Sequence, residues 1–218
     1  MPLSAILWDL DGTIVDSERD NVQSVVLAVR RLGCDLDDED RHFIVGHSWN
    51  EIHTRLAAKH RLNVGRDELI SWAVDEKRTL LAGKGHTPLP GALAAVRRLS
   101  GRAPMAVVSG ASRVEVSDAI DGLALRPAFR FLLGAEDYPR GKPDPEPYLT
   151  AARRLGVSPQ GCLVLEDAEP GILSGRAAGA RVIGIRVGNF SGYDLSAAHL
   201  VVDTLDEVTD ATIDRLMA

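Results

Sequence analysis

Apolar residues follow two rhythms along this chain, and the change between them marks its organisation. Near the start, Ala5-Ile6-Leu7-Trp8 is an unbroken apolar run, as expected of a strand buried on both faces. Helical spacing then takes over: Val22, Val25, Val26, Val29 and Leu32 fall on one face, with Gly33 as the stop. Trp49–His60 and Asp67–Leu81 read as further helical stretches, and the block Ser17–His86 holds no convincing strand. Thr87-Pro88-Leu89-Pro90-Gly91 then punctuates the chain.

Beyond Gly91 short apolar runs alternate with helical or loop segments. Leu93, Val96 and Leu99 mark a helix, and Met105–Val108, Phe131–Leu133, Cys162–Leu165 and Val182–Ile185 read as buried strands. Leu200–Val202 adds an edge strand before a closing helix from Leu205 to Met217. This alternation predicts the α/β class, a parallel sheet with helices on both faces. The helical block is then an insertion after the first strand, so residues 1–16 and 87–218 form one domain and 17–86 another. There is no internal repeat or low-complexity segment.

Composition narrows the function. The 218 residues are 45% hydrophobic and carry a net charge of −6, which suits a sizeable core and gives no basic stretch to track a nucleic acid. No run reaches the roughly 18 apolar residues of a membrane span, and the first residues do not form a signal peptide. Cys34 and Cys162 lack metal-type spacing and read as reduced thiols. The expectation is a soluble cytoplasmic protein, a monomer or weak homodimer, with neither nucleic acid nor membrane as partner.

In open parallel sheets ligands bind beyond the carboxyl ends of the strands, so the polar residues that end each strand should make sense together. The first strand leads into Asp9-Leu10-Asp11-Gly12-Thr13. Residues two apart in a strand face the same side, so Asp9 and Asp11 can share a site. Their mutual repulsion is resolved by a divalent cation with a phosphate substrate. The second strand ends in Ser109-Gly110-Ala111-Ser112, where a hydroxyl and a helix start offer donors to an anion. Lys142 follows the third strand in Gly141-Lys142-Pro143-Asp144-Pro145, and the fourth ends in Glu166-Asp167.

Such a set meets the needs of phosphoryl transfer through an aspartyl-phosphate. Asp9 would attack phosphorus, and Asp11 would protonate the leaving alkoxide and then activate water. Ser109, with Gly110 and Ala111, and Lys142 would bind the phosphoryl oxygens. Asp9, Asp11, Glu166 and Asp167 are the candidate Mg²⁺ ligands, an all-oxygen set with Glu166 either in the shell or just outside it.

Taken in order, Asp9-Leu10-Asp11-Gly12-Thr13, Ser109, Lys142 and the Glu166-Asp167 pair resemble the four motifs of the haloacid dehalogenase superfamily. More narrowly, the chain is similar to the phosphatase and phosphomutase branch, in which a helical cap follows the first motif. The resemblance implies a Rossmann-like core, a mobile cap over residues 17–86, Asp9 as nucleophile, Asp11 as acid/base and Mg²⁺ as cofactor. It also implies that the loop around His47 and Trp49 helps to choose the substrate, whereas the other histidines, without metal-type spacing, read as packing or surface residues.

The substrate expected is a small phosphorylated metabolite, a sugar or polyol phosphate above phosphoglycolate. A β-phosphoglucomutase-like mutase is the alternative. Relatives of that type carry a histidine where this chain has Asn21 and a cap-loop arginine where it has Trp49. A non-catalytic phosphoacceptor or binding module is the competing class, but such a chain would be expected to lose Asp9, Asp11 or Lys142.

Overall fold

The first apolar run becomes an inner strand of a six-stranded sheet. The computed structural model describes every residue except Met1, Gly46 and Ser48. The strands are β1 (Ala5–Trp8), β2 (Met105–Val108), β3 (Phe131–Leu133), β4 (Cys162–Glu166), β5 (Arg181–Ile185) and β6 (Leu200–Val202). All pair in parallel, in the order β3-β2-β1-β4-β5-β6.

Strand alternation sorts β1 onto two cores. Ile6 and Trp8 pack in one cluster with Val107 and Leu165, while Ala5 and Leu7 pack in the other with Val108 and Val164. Helices α5 (Ala92–Leu99), α6 (Arg113–Gly122) and α9 (Asp210–Met217) contribute to the first cluster. Helices α7 (Glu146–Leu155) and α8 (Glu169–Ala177) contribute to the second. The sheet is therefore covered on both faces, which is why its strands read as continuous apolar runs.

Four further helices, α1 (Ser17–Arg30), α2 (Asp38–Ile44), α3 (Trp49–His60) and α4 (Arg66–Lys84), carry a core of their own. Val25, Val26 and Val29 of α1 meet Ile52 and Leu56 of α3 and Leu69 and Ala73 of α4. The chain divides into two compact units, Met1–Asp16 with His86–Asn189 and Tyr193–Ala218, and Ser17–Gly85 with Phe190–Gly192. Where the chain leaves and re-enters the sheet unit, its two passes are stitched together. The Asp16 N–H donates to Thr87 O at 2.9 Å, the Leu89 N–H donates to Ile14 O at 2.9 Å, and Val15 pairs antiparallel with Pro88.

Several boundaries differ from the sequence reading. The short α2 was not anticipated: at seven residues it has little periodicity, and a capping box between Asp37 and Asp40 sets its start. Helix α1 stops at Arg30, and Gly33, at φ 73°, ends the following turn, leaving Leu32 37% exposed. The closing helix starts at Asp210, because Leu205–Glu207 is a separate 3₁₀ turn and Thr209 caps α9. Within the helical unit Lys77 is half-buried and donates from Nζ to Asn21 Oδ1 at 2.8 Å.

Leu7 is fully buried on a strand flanked on both sides, so Leu7→Ala should lower unfolding free energy by about 2–5 kcal/mol. Leu32→Ala, in the exposed turn, should change it by less than about 0.5 kcal/mol. Paired chemical-denaturation curves check both; equal shifts would contradict the assignment of the core.

Candidate active site

At the carboxyl edge of the sheet the backbone carries β1 one residue further, the Asp9 N–H donating to Leu165 O at 3.0 Å, and then turns. Leu10 O accepts from the N–H groups of Ile14 and Val15, and the Gly12 N–H donates to Val15 O at 2.8 Å. Gly12 has φ 80°, and a Cβ there would lie 2.2 Å from Asp167 Oδ2. Glycine is required both for the backbone turn and for the room it leaves Asp167. Thr13 Oγ1 donates to Asp167 Oδ1 at 3.1 Å, tying this turn to the residue after β4.

Lys142 sits at the centre. Its Nζ donates to Asp9 Oδ1 at 2.5 Å, Glu166 Oε1 at 2.6 Å and Val108 O at 3.0 Å, and so engages β1, β4 and β2 together. Tyr148, from α7, donates its OH to Glu166 Oε1 at 2.8 Å and lies under the ammonium. Glu166 Oε2 accepts from the N–H groups of Asp167 and Ala168 at 3.1 and 3.3 Å. Both oxygens of Glu166 are thus engaged by protein donors.

Charge sets what else the site can hold. Asp9, Glu166 and Asp167 are all buried, with one oxygen of each within 4.8 Å of the others. Burial raises Asp9 well above the ordinary carboxylate range; Lys142 pulls it down, while Glu166 and Asp11 push it further up. Burial likewise carries Asp167 to about 9, with Asp9 and Glu166 adding to the rise. For Lys142 burial opposes the charge, but Asp9 and Glu166 outweigh it and hold the ammonium well above its usual value. Once all three are ionised, the carboxylates beside one ammonium leave two negative charges, which is the charge a divalent cation offsets. An oxygen-only set of this kind fits a hard cation.

Asp11 stands apart from that acidic group. Regular strand structure ends at Trp8, and Asp11 follows in the turn, where its charge acts on Asp9. Asp11 is exposed and accepts from Ser109 Oγ at 3.3 Å. It lies outside the three carboxyl groups whose oxygens are within 4.8 Å of one another. Ser109 is buried, its Oγ accepting from the Ala111 N–H at 3.0 Å, and Gly110 is exposed beside it. Tyr138 OH fixes this loop by donating to Ser109 O at 2.5 Å.

His47 and Trp49 belong to the helical unit, and Gly46 and Ser48 beside them lie outside the described residues. The His47 ring stacks on Phe43 with centroids 3.9 Å apart, and Trp49 packs against the apolar cluster of that unit. Sequence reasoning missed Tyr148, Tyr138, Thr13 and Gly171. An aromatic in an amphipathic helix carries no sign that its hydroxyl reaches a carboxylate. Thr13, adjacent to the aspartates, was within view.

With this geometry in place, the family relationship is direct. Residues 6–185 match the haloacid dehalogenase-like hydrolase family, and the chain belongs to it. It is similar to hexitol phosphatase A of Escherichia coli, 33% identical over 211 residues covering 96% of this chain and 94% of that one. It is also similar to validoxylamine A 7'-phosphate phosphatase of Streptomyces hygroscopicus, 31% identical over 206 residues, with 93% and 94% covered. A crystal structure of a hydrolase of this family from Deinococcus radiodurans, holding phosphate and sodium, superposes with a TM-score of 0.77 at 27% identity, covering 99% of this chain and 97% of that one. Among the described residues no helix is long and apolar enough to cross a membrane.

Two predictions follow from this packing and charge. A Cβ on Gly171 would fall 1.7 Å from Glu166 Oε1, whereas one on Gly101 meets nothing within 4 Å. Gly171→Ala should therefore lower stability by about 1–3 kcal/mol, with Gly101→Ala near neutral, as read by thermal unfolding. The folded chain keeps a proton on Asp167 up to about 9, which the unfolded chain releases near 3.8. This contribution makes cation-free protein lose stability as pH rises through that window, so added divalent cation should raise Tm more at about pH 8 than at about pH 5. An equal rise at both would contradict the charge argument.

Proposed function

We propose that the chain is a Mg²⁺-dependent phosphatase that hydrolyses a small phosphomonoester, a sugar or polyol phosphate, through an aspartyl-phosphate on Asp9. The observation that carries this reading is the Asp9 carboxylate held at 2.5 Å by Lys142 within a buried acidic group, with Asp11 exposed beside it. The similarity to hexitol phosphatase A and to validoxylamine A 7'-phosphate phosphatase, each over 94% of its length, supports the substrate class.

Asp9 and Asp167 are the residues that would hold Mg²⁺. When bound, the cation supplies positive charge to the transferring phosphoryl group and draws Asp9 into its ionised, nucleophilic form. Asp9 attacks phosphorus as the ester oxygen departs, and Asp11 protonates that oxygen. Asp11 then takes a proton from the water that releases phosphate from Asp9. Lys142 and Ser109, with the Gly110 and Ala111 backbone, bind the phosphoryl oxygens. Glu166, its oxygens occupied by Lys142, Tyr148 and two backbone N–H groups, positions Lys142. Residues 17–86 act as the cap, with His47 and Trp49 selecting the alcohol. Asn21, which accepts from Lys77, offers no titratable proton carrier and so favours hydrolysis over a mutase reaction.

Asp9→Asn should abolish turnover of sugar and polyol phosphates, and Asp11→Asn should slow it by ~10²–10⁴-fold. Chelation should silence the wild-type enzyme and Mg²⁺ restore it. Phosphate release across a panel of sugar, polyol and short-acid phosphates checks all three. Full activity in Asp9→Asn would refute the assignment.

A further inference from the structure

A cavity of about 320 Å³ opens at the opposite edge of the core sheet, where β4, β5 and β6 begin. Its size is at the lower end of the roughly 300–1,000 Å³ of small-molecule sites. Gln160 precedes β4, Arg181 opens β5, His199 precedes β6, Arg176 lies in the last turn of α8 and Met217 ends α9; all five line it.

The polar lining is made of donors. Arg176 Nη1 donates to Ala197 O at 3.1 Å, and its charge complements the carboxyl end of α8, which accounts for its placement. Arg181 has no such account, and neither arginine has a carboxylate partner among the described residues. The Val182 N–H donates to His199 Nδ1 at 3.0 Å, so the neutral ring carries its proton on Nε2 and can donate from there. Burial first, then the charges of Arg176 and Arg181, hold His199 below its ordinary value. Gln160 Oε1 accepts from Ser158 Oγ, leaving its NH₂ as a donor. Among the described residues no carboxylate side chain lines the cavity, although the chain carries a net charge of −6.

We propose that this cavity binds the phosphate group of a small phosphorylated molecule, with Arg176 and Arg181 meeting its charge, His199 and Gln160 donating to its oxygens, and Met217 walling its carbon skeleton. A phosphate dianion matches two guanidinium charges, and arginine forks suit its oxygens. Among the described residues no acidic group lines the cavity, and the role assigned to it is binding alone, apart from the reaction at Asp9.

The test follows the His199 ring nitrogens by long-range ¹H–¹⁵N NMR while inorganic phosphate, then glycerol phosphate, is titrated into the whole protein. A saturable shift is expected, with affinity roughly tenfold or more weaker in Arg181→Gln. The response should vanish in Arg176→Gln/Arg181→Gln, whose Mg²⁺-dependent phosphate release stays at the wild-type rate. No saturable response of His199 in the wild type, or an unchanged affinity in the double variant, would overturn the proposal. Because the readout is local, it stands whether or not Asp9 turns a substrate over.

Discussion

Three carboxyl groups, Asp9, Glu166 and Asp167, are buried around a single ammonium group, and burying charge in this way is costly unless each group finds partners. Glu166 is provided for completely: Lys142, Tyr148 and two backbone N–H groups occupy its oxygens. Asp9 has Lys142, and among the side chains of the described residues Asp167 has only Thr13. The imbalance thus falls on the two residues that end adjacent strands. What burial withholds from them in hydration, a divalent cation and a phosphate can return.

This constraint explains features of the fold that packing alone does not. Lys142 reaches Asp9, Glu166 and Val108 because β1 lies between β2 and β4. Gly12 and Gly171 lie where a methyl group would strike Asp167 and Glu166. Tyr148 is a core residue whose ring fills one apolar cluster while its hydroxyl meets a carboxylate. The structural and chemical demands on these positions are one demand.

Much of this was legible in the sequence, for physical reasons. Strands buried on both faces write themselves as apolar runs, so β1, β2 and β3 match the predicted bounds, and β4 and β5 differ from them by one residue. The polar residues following β1, β2 and β4, with Lys142 beyond β3, could be read as one edge because parallel strands point the same way. Less was legible where local rules stop. The two-residue period predicts a shared face for Asp9 and Asp11, but the chain turns after Asp9, and beyond it bonds such as that from Ser109 to Asp11 have no sign in the spacing. Helix α2 is too short to show periodicity, and the reach of Tyr148 to Glu166 depends on how α7 lies on the sheet. His199 and Arg181 are far apart in sequence from Gln160, so the basic cavity has no linear signature.

The stitched passage around Asp16 and Thr87 has a consequence for how such a molecule can change. The bonds joining Ile14 to Leu89 and Asp16 to Thr87 close the sheet unit upon itself before the helical block is counted. Topologically, the core treats Ser17–Gly85 as the tip of a hairpin. Lengthening a closed tip adds little chain entropy, since that cost grows only with the logarithm of its length. The helical block can therefore be enlarged, shrunk or exchanged at little entropic cost while the charged edge of the sheet keeps its architecture.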